Sequence, residues 1–212
     1  MSEQEIINSF HNLYYEKGKQ GKTWNDTYWM GVQTKKLPLD LWIYQEILYQ
    51  VRPDIIIECG TFVGGSALFL AHMCDLLKCG EVISIDVEER KNLPQHSRVT
   101  YLTGLSVSKE VIDQISGRIK AHHKVLVILD SDHARDYVIL ELRAYAPMVT
   151  IGSYLIVEDT NINGHPACIE HGPGPTEAIA LFMKEDRRFI VDSSVEKLLL
   201  TFNPAGYLKR IT

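Results

Sequence analysis

Carboxylates recur where short apolar runs end: Glu58, Asp86, Asp130 with Asp132, and Glu158 with Asp159. If those runs are neighbouring strands about 4.8 Å apart in one sheet, the acids converge over one edge, where like charges repel unless they are protonated or share a cation. Mg²⁺ is the economical counter-charge, because it favours carboxylate and water oxygens and keeps some waters for a substrate to displace. Glu158 and Asp159 can both be ligands only if the strand has ended before them, since consecutive strand residues point to opposite faces. Asp130 and Asp132 compete for the third place. One arrangement uses Asp132 on the metal and leaves Asp130 to orient a cationic cofactor or a bound water. A competing assignment makes Asp132 or Ser131 the cap of a helix that begins near His133, which leaves Glu158 and Asp159 unexplained. Zinc is less apt, because no thiolate or imidazole cluster has ligand spacing and His122 and His123 are merely adjacent. His133, ahead of His165 and His171, is placed to take a proton from a substrate, and histidine is the side chain poised for that near neutral pH.

A second concentration of chemistry is Glu58-Cys59-Gly60-Thr61-Phe62-Val63-Gly64-Gly65-Ser66. Glycines at the carboxyl end of a strand let the backbone approach a ligand closely. The Gly-x-x-x-Gly-Gly spacing departs from the dinucleotide fingerprint, and no Lys-Ser/Thr follows to make a Walker A loop. An acid ahead of the glycines instead suits a ligand with an ammonium and a sulfonium, which is the charge pattern of S-adenosylmethionine. Gly60, Thr61, Gly64, Gly65 and Ser66 then form its cradle, and Asp86 accepts hydrogen bonds from ribose hydroxyls. Ser106, in Gly104-Leu105-Ser106, is a candidate contact to the adenine. The competing assignment is a tight turn with Glu58 in solvent, and Asp86 at the place a ribose ligand requires weighs against it.

These residues need a scaffold, and the apolar pattern supplies one. Strands are expected over 54–58, 81–86, 99–102, 124–130 and 154–158, with helices over about 66–77 and 133–145, the second stopping before Pro147. Alternation of strand and helix predicts a three-layer, Rossmann-like α/β fold with a parallel sheet covered on both faces. Runs 189–192 and 197–201 are too close for a crossover helix and are expected to close the sheet as an antiparallel hairpin. The connection from Asn161 to Pro175, rich in glycine and proline, is long enough to form a wall or lid over substrate, and Thr176 is expected to cap a helix over 177–185. Residues 1–50 read as a helical preface to an α/β domain over 51–212, the two making one structural domain. Trp24, Tyr28, Trp29, Trp42 and Tyr44 crowd into that preface, as a pocket wall or, more commonly for such crowding, as packing on the core.

Composition limits what the site can serve. A chain of 212 residues with net charge −5 has no basic stripe, which argues against nucleic acid. Four separate cysteines make no disulfide framework and read as free thiols in a reducing compartment. The acidic N-terminus lacks signal-peptide character, and no apolar run approaches the roughly 18–20 residues of a membrane span. A soluble, cytoplasmic protein with no membrane partner is expected.

Together the runs Asn25 to Glu46, Glu58 to Ser66, Asp130-Ser131-Asp132-His133, Val157 to Pro166 and Gly172-Pro173-Gly174-Pro175 resemble the cephalosporin hydroxylase family. The resemblance covers most of residues 24–202, and its string Glu158-Asp159-Thr160-Asn161-Ile162-Asn163-Gly164-His165-Pro166 is highly specific. Its members have the class I S-adenosylmethionine-dependent methyltransferase fold and are similar to rhamnosyl O-methyltransferases. The resemblance implies Mg²⁺ on Asp132 or Asp130 with Glu158 and Asp159, S-adenosylmethionine in the Glu58 to Ser66 loop, and a homo-oligomer. The family name advertises hydroxylation, yet no pair of histidines and a carboxylate stands at iron-ligand spacing, so fold and metal outrank the name. The expected activity is O-methyl transfer to a hydroxyl of a small polar substrate, a sugar or an antibiotic-like natural product. The rivals are a monooxygenase and a non-catalytic cofactor-binding module; a dead site would have no need to hold repelling acids together.

Overall fold

A computed structural model describes residues 1–212. The chain opens with helix α1 (Glu3–Lys19), started by a capping box in which the Ser2 Oγ accepts from the Glu5 N–H and the Glu5 carboxylate accepts from the Ser2 N–H. A two-rung hairpin, β1 (Tyr28–Trp29) and β2 (Val32–Gln33), leads to α2 (Pro38–Val51), which has proline at its first position. Then follow β3 (Ile55–Cys59), α3 (Gly65–Leu77), β4 (Glu81–Asp86), β5 (Val99–Thr103), α4 (Lys109–Ser116), β6 (Val125–Leu129), α5 (Arg135–Tyr145), β7 (Tyr154–Val157), α6 (Pro175–Glu185), β8 (Phe189–Val191) and β9 (Tyr207–Arg210). The preface is therefore helical with a small hairpin inside it.

One seven-stranded sheet runs β5-β4-β3-β6-β7-β9-β8, parallel through β7, with β9 antiparallel to both β7 and β8. Period two is visible in its packing. Ile55 and Ile57 face a cluster with α4, α5 and α6, including Ile115, Leu142 and Phe182. Ile56 faces the other side with Tyr44, Leu48, Phe69 and Leu70 of α2 and α3. A third cluster of Leu37, Leu200 and Phe202 receives Tyr14, Tyr15 and Trp24 from the preface.

The closing hairpin is antiparallel as expected, but its second strand is elsewhere. Ser193–Glu196 form a 3₁₀ turn, Leu199 takes a left-handed φ of 68°, and the partner of β8 is Tyr207–Arg210. Two of the three leucines of 198–200 are used for packing rather than pairing: Leu198 packs against the α2–α3 face and Leu200 joins the third cluster, while Leu199 is exposed. Tyr207 and Leu208 are fully buried on opposite faces between β7 and β8, as an interior strand requires. Two helix starts also move. Helix α5 begins at Arg135 and not His133, and α6 begins at Pro175, where the Glu177 carboxylate accepts the Gly174 N–H at 2.7 Å. Thr176 does not cap it; its hydroxyl donates to the Thr160 carbonyl. All four cysteines are free thiols, and no helix is long and apolar enough to cross a membrane.

Candidate active site

Register brings the acids together. Cys59 pairs with Ile85 on one side and Leu129 on the other, and Leu129 pairs with Val157. Gly60, Asp86, Asp130 and Glu158 therefore follow from one edge of the sheet. The last rungs hold this alignment: Gly60 N–H donates to the Ile85 carbonyl, Asp130 N–H to Cys59 and Glu158 N–H to Leu129, at 2.8–2.9 Å. Strand β7 ends at Val157, and Asp159 turns the chain in the left-handed region at φ 54°. The strand has thus ended before the consecutive acids, and both lie among the site's charges.

Ligand atoms of Asp130, His133 and Asp159 all lie within 4.8 Å of one another, with His133 Nε2 3.2 Å from Asp159 Oδ2. Asp132 is not in this group. It stands three residues past the end of β6, where its Oδ1 accepts the Ala134 N–H at 2.7 Å and shapes the entry to α5. Between the two candidates for the third ligand, the geometry favours Asp130. Glu158 points inward: Oε1 accepts from the Tyr44 hydroxyl at 2.8 Å, and Oε2 is 2.5 Å from the Lys36 ammonium. The same ammonium bonds Asp130 Oδ2.

Burial raises the carboxyl pKa of Asp130, Glu158 and Asp159; Lys36 pulls Asp130 and Glu158 back, and His133 does so for Asp159. For Lys36, burial alone would lower the pKa, but Asp130, Glu158 and Glu58 together outweigh it and hold the ammonium charged. Oxygen donors from two carboxylates beside an imidazole, with acids outnumbering the one ammonium, make a donor set that fits a hard divalent cation.

A cavity of about 550 Å³ joins this cluster to the glycine loop. Gly60, Thr61, Gly65, Ser66, Asp86, Ser106, Asp130, Asp132, His133 and Asp159 line it. Glu58, Gly64 and Glu158 do not. Glu58 is fully buried behind the loop, accepting from Ser84 Oγ at 2.6 Å, and burial pushes its carboxyl up to about 7 against the pull of Lys36, Ser66 and Ser84. It is neither a solvated turn residue nor a wall of the cavity. Asp86 is pinned by the Phe62 and Glu88 N–H groups at 2.9 Å and by Arg90, which leaves acceptor capacity toward the cavity. Ser106 and Ser131 both donate to Glu141 Oε1, which is buried under the floor between them.

Of the crowded aromatics only Trp24 reaches the cavity, together with Tyr15, on which it stacks at 5.7 Å. Trp29 packs edge-on to Phe69 and donates to His72, and Trp42 is exposed. Sequence reasoning missed Lys36 and Glu141, and it placed Tyr44 among the crowded aromatics without its bond to Glu158. In the sequence Lys36 is half of Lys35-Lys36, a pair that suits an acidic substrate or plain solvation equally; Leu37-Pro38-Leu39 beside it is the one sign of burial.

Comparison with known proteins gives the family and the fold. The family described as Rhamnosyl O-methyltransferase/CmcI matches residues 21–211. The rhamnosyl O-methyltransferase of Mycobacterium leprae is 38% identical over 186 residues, covering 85% of this chain and 79% of that protein. A solved structure described as "CmcI-N160 apo-structure" superposes with a TM-score of 0.68 at 19% identity, over 88% of this chain and 76% of its own. Another, described as "cmcI-D160 Mg-SAM", gives 0.67 at 17% identity, over 90% and 78%. At these identities the two structures attest the fold.

Proposed function

Since the chain belongs to the rhamnosyl O-methyltransferase/CmcI family, we propose that it is an S-adenosylmethionine-dependent O-methyltransferase acting on a hydroxyl of a small, sugar-like substrate. The observation that carries this reading is the single cavity that runs from the glycine loop and Asp86 to Asp130, His133 and Asp159. Cofactor and acceptor chemistry thereby meet in one space.

When bound, S-adenosylmethionine supplies an activated methyl group and Mg²⁺ a Lewis acid that lowers the pKa of an acceptor hydroxyl. Asp130 and Asp159 hold the metal, with Glu158 behind them; Asp132 serves the α5 entry instead. Gly60 and Gly65 line the cavity at the end of β3, their missing Cβ atoms leaving room for the Asp130 and Gln33 carbonyls that close the loop, and Asp86 accepts from the cofactor ribose. Ser106 meets the adenine end, its hydroxyl held by Glu141 and Tyr137. His133 takes the acceptor proton at Nδ1, while its Nε2, 3.2 Å from Asp159 Oδ2, donates to that carboxylate, which stabilises the resulting imidazolium. Tyr15 and Trp24 offer flat apolar walls of the kind a sugar face packs against. Orientation of the two reactants inside one cavity supplies much of the acceleration.

The homo-oligomer belongs to the same proposal, supported by Ile6, Phe10 and Leu13, which lie exposed along one side of α1. Light scattering after size exclusion measures it. The central test is methyl transfer from labelled S-adenosylmethionine to rhamnosides and other sugar hydroxyls, with and without Mg²⁺. Expected are cofactor binding by calorimetry and Mg²⁺-dependent transfer. A protein that neither binds the cofactor nor transfers methyl refutes the reading.

A further inference from the structure

The site carries a cation of its own. Lys36 lies between β2 and α2, only 4% exposed, with its ammonium shared between Asp130 and Glu158. The segment that delivers it is fixed. The Thr27 hydroxyl accepts the Lys36 N–H and donates to the Lys36 carbonyl, both at 3.2 Å, while Leu37 is buried and Pro38 starts α2. Tyr44, from the same α2, bonds the other oxygen of Glu158. The preface thus reaches under the sheet edge and ties two acids of different strands together.

We propose that Lys36 is a positioning residue that stands in for a divalent cation: its ammonium holds Asp130 and Glu158 together in the metal-free protein and lowers the affinity of the site for metal. This rests on the reading that a divalent cation binds at Asp130 and Asp159. Asp130 is the shared residue. Its carboxylate faces Lys36 with Oδ2 and belongs to the ligand group with His133 and Asp159. A cation held by that carboxylate is held close to the Lys36 ammonium, and two like charges in a partly desolvated site repel strongly. The ammonium also draws electron density from the carboxylate that the metal must use. In exchange, the acids stay arranged for metal without relying on the metal for their neutralisation.

The test uses the full chain without cofactor or acceptor and compares wild type, Lys36→Gln and Lys36→Arg. Gln keeps hydrogen-bond donors without the charge, whereas Arg keeps the charge. Mn²⁺ binding is followed by electron paramagnetic resonance, and thermal unfolding is recorded in chelator and in saturating Mn²⁺. Lys36→Gln is expected to bind Mn²⁺ at least tenfold more tightly, to melt lower than wild type in chelator, and to gain more from Mn²⁺ than wild type does. Lys36→Arg should resemble wild type in all three. Unchanged or weaker Mn²⁺ binding by folded Lys36→Gln overturns the inference while leaving the metal reading intact. Should Lys36→Gln fail to fold in chelator, recovery with Mn²⁺ supports the inference and failure to recover overturns it. If neither wild type nor either variant binds Mn²⁺, the metal reading falls and the inference falls with it; binding by Lys36→Gln alone supports both.

Discussion

Gly60 is the residue on which the glycine loop and the Asp130 carboxylate cluster both depend, so Gly60→Ala tests their coupling. The backbone there has φ 103°, a conformation that L side chains rarely adopt, and an added Cβ would lie 1.9 Å from the Asp130 carbonyl oxygen and 2.6 Å from its carbon. Neither neighbour is a flexible side-chain end; both are backbone at the end of β6. The chain must open by more than an ångström between β3 and β6, against the Asp130 N–H bond to Cys59 and the Gly60 N–H bond to Ile85, each 2.8 Å. Backbone strain costs about 1–3 kcal/mol. Overpacking adds about 1–3 kcal/mol. The expected loss is therefore about 2–6 kcal/mol, a large part of the roughly 5–15 kcal/mol that holds a domain folded. Because Asp130 moves with its carbonyl, Mn²⁺ binding should weaken together with cofactor binding, although the substitution touches no ligand atom. Urea denaturation gives the stability, and calorimetry gives both affinities. A Gly60→Ala protein within about 1 kcal/mol of wild type that binds Mn²⁺ normally would refute the coupling, since ordinary surface substitutions stay within about 0.5 kcal/mol.

Other outcomes follow from single contacts. His11 is buried, accepts from the Asn161 amide at 2.8 Å and stacks on Phe202, and burial lowers its pKa from 6.5 to about 4. The unfolded chain then takes up this proton below pH 6.5 and the folded chain does not, so stability is present above 6.5 and falls as pH drops through 4. The loss at pH 5 is about 2 kcal/mol, and NMR titration of His11 with a midpoint above 6 would contradict it. Tyr44→Phe leaves Glu158 Oε1 without its donor and should cost about 1–3 kcal/mol by denaturant unfolding; no loss would mean that the bond is not made in solution. Trp24→Ala removes a cavity wall and the ring that fills the space above Gly18, so it should destabilise by about 3–5 kcal/mol. In steady-state kinetics it should raise the acceptor KM more than it lowers kcat, and an unchanged KM would remove the aromatic wall from the acceptor's path.

Local patterning was enough for the layers of this fold. Apolar runs at 54–58, 81–86 and 124–130, each ending in an acid, predict both the parallel sheet and the edge where its chemistry gathers, because strand ends and chain charge are properties of short segments. The Glu58 to Ser66 loop likewise announces itself through glycines that a tight, ligand-facing turn requires. What a short segment does not contain is which distant group it meets. Leu198 to Leu200 look like a strand until Tyr207–Arg210 takes the place beside β7, and Asp132 looks as good a ligand as Asp130 until the register sends one to the cavity cluster and the other to a helix entry. Glu58 has the right charge for a cationic cofactor, yet pairing of β3 on both sides turns it into the core. Lys36 shows the limit best. Its burial between Asp130 and Glu158 joins residues 94 and 122 positions apart, and no periodicity encodes a contact made only when the preface folds back onto the completed sheet.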